Sequence, residues 1–149
     1  MEDALKYENR KKLYQFLIDE YDFAVQEDQN FKAMGYSILL KGDFFLLRYY
    51  YDRLFIDIDI ASDFEDPKNF YSLSFIRDLI YNPDAINAKD RTMGDNEVWI
   101  ADLNSFLRRD FQKICELFNS KNYPDTKKRL LVGLEKQAYI RYPSTKPKN

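Results

Sequence analysis

Histidine is absent from the 149 residues, and cysteine occurs once, at Cys115. Without histidine there is no Ser-His-Asp or Cys-His catalysis and no His-ligated zinc or haem. A single thiol forms no intramolecular disulfide and no thiolate-bound zinc or iron–sulfur centre. Glycine and proline are also scarce, at four and five. A Gly-rich phosphate loop is therefore excluded, and most of the chain belongs in regular elements. No apolar run reaches the ~20 residues of a membrane helix. The opening MEDALKYENRKK is charged and lacks the apolar core of a secretory signal, so a cytoplasmic location is expected. Net charge is -2 and the pI about 5.3, leaving no global basic field for nucleic acid. The remaining chemistry is that of carboxylates, Lys, Arg, Tyr and Ser, and no cofactor is expected.

What the chain has in plenty is aromatic side chains, 12 Tyr and 12 Phe, which argue for a packed core. In Tyr21 to Gln26, Phe23 and Val25 alternate with other residues, as in a short strand; Asp28 to Ala33 reads as a polar loop. A meander follows. A two-residue turn at Gly42-Asp43 sets Leu40 opposite Phe45, Ile38 opposite Leu47 and Tyr36 opposite Tyr49. A second at Asp52-Arg53 sets Tyr51 opposite Leu54, Tyr49 opposite Ile56, Leu47 opposite Ile58 and Phe45 opposite Ile60. One face of three strands is then wholly apolar, and a one-residue slip would mix aspartates into it. The other face carries Ser37, Leu39, Lys41, Phe44, Leu46, Arg48, Tyr50, Phe55, Asp57 and Asp59. This register puts Arg48 across from Asp57, Leu46 across from Asp59 and Tyr50 across from Phe55.

Helical spacing is clear on both sides of the meander. From Ala4 to Glu20, Leu5, Leu13, Phe16 and Leu17 share a side. Asn69 to Tyr81 places Leu73, Ile76, Leu79 and Ile80 together, and Asn82-Pro83 ends that helix. A long polar connection spans Asn82 to Glu97. From about Trp99 to Ser120, Leu103, Phe106, Leu107, Phe111, Ile114, Cys115 and Phe118 form a broad stripe. A last helix follows Tyr123-Pro124, with Asp125 as its N-cap and Leu130, Leu131, Leu134 and Ala138 inward. The expectation is one α+β domain over residues 1–142: an N-terminal helix, a roughly four-stranded antiparallel meander, and three helices on the Phe45/Leu47/Tyr49/Ile58 face. Residues 143–149 are expected to be a flexible tail.

Asp57-Ile-Asp59 also invites a metal-dependent reading, because two carboxylates on a strand can hold Mg²⁺ in nucleotidyltransferases. That chemistry needs a glycine turn leading into a helix before the aspartate strand, whereas Gly42-Asp43 leads into a strand. An ion pair that keeps one sheet face polar is the simpler role. Cys115 lies on an apolar stripe and reads as packing. The short clusters Arg10-Lys11-Lys12 and Lys127-Lys128-Arg129 read as solvated helix faces. From Asp52 to Asp66 there are six acidic residues against Arg53 alone. Aromatic residues edged by charge suit a protein interface.

The stretch from Tyr36 to Leu73 resembles a family of small bacterial proteins, through Leu47-Arg48, Asp52-Arg53, Asp57-Ile58 and Tyr71-Ser72-Leu73. Leu54 stands where those proteins often have glycine. They look like immunity or antitoxin partners of bacterial toxins. The resemblance implies a non-enzymatic immunity protein that neutralises a cognate toxin by direct binding. The expected binding residues are Arg48, Tyr50, Phe55, Asp57, Asp59, Asp63, Glu65 and Asp66, with the Asn82–Glu97 connection as a second surface. The alternatives are a metal-dependent phosphoester enzyme using Asp57 and Asp59, or a homo-oligomer formed through the Tyr50/Phe55 face.

Overall fold

The computed structural model describes residues 3–82 and 96–141. The Asn82–Glu97 connection, apart from its ends, and the tail at 143–149 lie outside these residues. The fold is α+β as expected, with five strands rather than about four, in the sheet order β1-β2-β3-β4-β5. These are β1 Ala24–Asn30, β2 Gly35–Lys41, β3 Phe45–Asp52, β4 Phe55–Ser62 and β5 Phe70–Ser72, every neighbouring pair antiparallel.

The apolar face is the one the alternation predicts. Tyr36, Ile38 and Leu40, then Phe45, Leu47, Tyr49 and Tyr51, then Ile56, Ile58 and Ile60 are none more than 4% exposed. Both turns lie one residue further along the chain than expected. Lys41 pairs with Leu46 and the Gly42 N–H donates to the Phe45 carbonyl at 3.0 Å, so the first turn is Asp43-Phe44. Asp52 pairs with Phe55, so the second is Arg53-Leu54, with Arg53 at a left-handed φ of 51°. Moving a turn by one residue moves the pairing by two, so the faces survive while the partners change. Arg48 therefore faces Asp59 rather than Asp57, Tyr50 faces Asp57 rather than Phe55, and Leu46 faces Ala61 rather than Asp59. Leu54, expected on the apolar face, is at the turn and exposed.

β1 continues through residues whose polarity suggested a loop, because Asp28 has partners. Tyr7 Oη donates to its carboxylate at 2.7 Å and Arg10 Nε at 3.0 Å. A bulge between Val25 and Glu27 breaks the alternation, and Val25 is exposed. A 3-10 turn, Lys32–Met34, leads into Gly35 at φ 120°, where a Cβ would lie 1.8 Å from the Tyr51 carbonyl oxygen. Only glycine fits there.

The N-terminal helix is shorter than its periodicity implies. Two 3-10 turns, Asp3–Leu5 and Tyr7–Asn9, precede α1 Lys11–Tyr21. Then come α2 Leu73–Tyr81, α3 Asn96–Phe118 and α4 Tyr123–Arg141. The residues expected to line α1, α2 and α3 are buried or packed against the core, as is Leu130 of α4. Leu134 packs against the core, Leu131 points to water, and the Ala138 side chain lies outside the described ones. Tyr49 Oη donates to Asn104 Oδ1 at 2.6 Å, and Asn104 Nδ2 donates to the Leu13 carbonyl at 3.0 Å. One tyrosine thus ties sheet, α3 and α1 together. α3 kinks at Asp110, at φ -115° and ψ 20°. Burial raises the pKa of this carboxyl, but hydrogen bonds from Tyr81 and Arg109 outweigh it and hold the group below the usual carboxylate range.

Candidate functional site at the Phe55 end of the sheet

On the face turned away from the helices, cross-strand pairing builds two polar rows. One runs Glu27, Leu39, Arg48, Asp59, Ser72; the next runs Gln29, Ser37, Tyr50, Asp57. Five of the expected binding residues, Arg48, Tyr50, Phe55, Asp57 and Asp59, are therefore brought together. Arg48 donates to Asp59 Oδ2 at 2.9 Å and lies over the Phe70 ring at 4.1 Å. Its Nε is buried and meets no acceptor among the described residues. Burial pushes the Asp59 carboxyl up, and the Arg48 hydrogen bond only partly offsets that rise.

Asp57 is engaged differently. Its Oδ1 accepts from the Trp99 indole at 3.0 Å and its Oδ2 from Ser72 Oγ at 3.0 Å. Beyond the end of short β5, β4 would present an open ladder. Asn96, the first residue of α3, closes it: its Oδ1 accepts from the Ile56 N–H at 3.3 Å, and its Nδ2 donates to the Leu54 carbonyl at 2.9 Å. A side-chain amide stands in for a missing strand. Any metal at Asp57 and Asp59 would have to displace Trp99, Ser72 and Arg48. No group of three or more Cys, Asp or Glu among the described residues is placed to hold a metal ion. Burial raises the Cys115 thiol to about 11, consistent with a packing role.

The same end of the sheet exposes large apolar side chains. Leu54 and Phe55 are 52% and 46% exposed, Phe31 and Met34 are 44% and 46%, and Tyr50 is 37%. They are held together by backbone, since the Arg53 N–H donates to the Met34 carbonyl at 3.1 Å and Gly35 pairs with Asp52, the neighbour of Phe55 in the ladder.

Asp63, Glu65 and Asp66 lie elsewhere, past the Ser62 end of β4, about 23 Å from Phe55 at strand rise. Asp63 sits between Lys41 and Lys68, each at 3.8 Å. Glu65 accepts from Tyr123, Lys127 and Asn69. Burial raises its pKa, but those bonds prevail and hold the carboxyl below its usual range. Asp66 is exposed and precedes a cis proline, Pro67. Sequence reasoning missed Phe31, Met34, Leu54, Asn96 and Trp99. Phe31 and Met34 carried a signal, as apolar residues inside an otherwise polar stretch. Asn96 and Trp99 carried none, since their partners lie about forty residues away.

Comparisons with protein-family models, curated proteins and solved structures found no match. No helix among the described residues is long and apolar enough to cross a membrane.

Proposed function

We propose that this protein is a non-enzymatic binding domain of the immunity type, which neutralises a toxin by seating it on the Phe55 end of the sheet. The observation that carries the reading is the exposed group Phe31, Met34, Leu54, Phe55 and Tyr50 at one end of a five-stranded sheet. Such residues bury well against a partner, and the neighbouring Arg48–Asp59 pair and Asp57 give the polar rim an interface core needs. Aromatic and aliphatic anchors at the centre, with charges around them, are where binding energy concentrates. The carboxylates of this end already accept hydrogen bonds, which favours a role in shape and polarity over chemistry.

The test is co-expression of the tagged chain with the products of the genes adjacent to its own. Stoichiometric recovery of a neighbour that is lethal alone, lost in a Leu54→Ser/Phe55→Ser chain, supports the reading. Recovery of the tagged chain alone removes it.

A further inference from the structure

The fold treats the two edges of its sheet differently. At the β4 edge, Asn96 occupies the Ile56 N–H and the Leu54 carbonyl, and β5 turns at once into α2. At the other edge β1 is the outermost strand, and all of its residues, Ala24–Asn30, are exposed. An edge strand turns alternate N–H and C=O groups outward, a ready template for another strand. The bulge between Val25 and Glu27 splits the pairing with β2 into Ala24–Val25 and a longer regular run, Glu27–Asn30. That stretch runs directly into Phe31, the first residue of the apolar end. A strand laid along it would continue the surface already described.

Charge selects the occupant. From Leu13 to Phe31 the chain carries Asp19, Glu20, Asp22, Glu27 and Asp28 and no Lys or Arg. Arg10 and Arg108 neutralise Asp28 and Glu20. Glu27 and Asp22 are exposed and have no ion pair among the described residues. A second copy offers Glu27 no cation: antiparallel self-pairing over Glu27–Asn30 sets Asn30 opposite Glu27, and pairing over the whole of Ala24–Asn30 sets Glu27 opposite Glu27.

We infer that the free edge of β1 at Glu27–Asn30 accepts a short extended segment of a partner protein as a sixth strand, with Lys or Arg opposite Glu27. The inference rests on the protein-binding reading and names how the partner is gripped. Main-chain hydrogen bonds supply the hold, and the residue facing Glu27 supplies selectivity.

The experiment titrates the full chain with two synthetic strands, read by backbone amide NMR. One alternates Lys and Thr and is N-methylated along one edge so that it adds to a single strand; the other replaces Lys by Glu. The Lys peptide is expected to shift and protect the amides of Glu27–Asn30. It should bind about fivefold tighter than the Glu peptide at low salt. Glu27→Lys should reverse that order, a reversal no folding defect produces. Unmoved β1 amides, an unreversed preference, or a dimer in sedimentation whose contact protects β1 would overturn the proposal. A second arm measures the affinity of wild-type and Glu27→Lys chains for the co-purified neighbour. Weaker binding by the variant supports strand addition at β1, whereas equal affinity overturns it and leaves the protein-binding reading standing. Recovery of no neighbour by the wild type fails that reading instead, and the peptides alone then decide the edge.

Discussion

Both ends of β4 leave apolar side chains in water, Phe44 and Phe64 near Ser62 and Leu54 and Phe55 at the other, but only past Ser62 are carboxylates taken up by lysines. Asp63 lies between two lysines and Glu65 is bound by a tyrosine, a lysine and an asparagine. Leu54 and Phe55 are about half exposed. In sequence the first end looks like the functional surface, because acids crowd there. In the fold Glu65 fastens the 62–69 segment to α4 and Asp63 bridges Lys41 and Lys68, while the end with less charge carries Leu54, Phe55, Phe31 and Met34 as accessible anchors. A count of like charges says little about a surface until their partners are known.

The contrast can be broken or sharpened by substitution. Gly35→Ala should have the largest effect, because a Cβ meets the Tyr51 carbonyl at 1.8 Å and φ is 120°. A cost of about 3 kcal/mol or more is expected by chemical denaturation. A neutral result would mean that the Phe55 end is soft rather than a rigid platform. Next, Tyr123→Phe removes a hydrogen bond to a charged acceptor at the Ser62 end. It should cost about 1.5–3 kcal/mol in the same assay, and an unchanged midpoint would deny the acids there their structural role.

The two ends should also respond oppositely to pH. Asp59 has a raised carboxyl pKa in the fold, so its contribution to stability is fullest below the ordinary carboxylate value. That contribution declines as pH rises through the raised folded value. Glu65 has a lowered one, so its contribution is full above the ordinary value and is lost as pH falls through the folded value. Stability differences between wild type and Asp59→Asn should therefore shrink with rising pH, while those for Glu65→Gln grow. Slopes of the same sign would contradict the assignment. The smallest effect on stability belongs to Leu54→Ser and Phe55→Ser, each within about 0.5 kcal/mol by the same unfolding assay. Substantial unfolding there would make these residues core rather than interface.

The sheet's apolar face was readable because period-two alternation survives a displaced turn: Tyr49 and Ile58 face inward whichever residue opens the hairpin. The partner of Arg48 on β4 was not readable, since a turn at Asp52-Arg53 and one at Arg53-Leu54 satisfy the same alternation. β5, from Phe70 to Ser72, is too short for alternation to register. The extent of β1 hid behind polar residues that Tyr7 and Arg10 make tolerable. The grouping of Arg48, Tyr50, Phe55, Asp57 and Asp59 followed from adjacent strands. Phe31 and Met34 joined it through a backbone contact across the sheet's end, and Leu54 through the displaced turn. Glu65 and Lys127 are 62 residues apart, and no local pattern links them.

Asn96 carries one more consequence. Because Asn96 of α3 accepts from the Ile56 N–H, this part of the helix cannot draw away without breaking a bond to a backbone amide of the sheet. The solvent exchange of that single proton is a clock for the beginning of a helix 40 residues downstream.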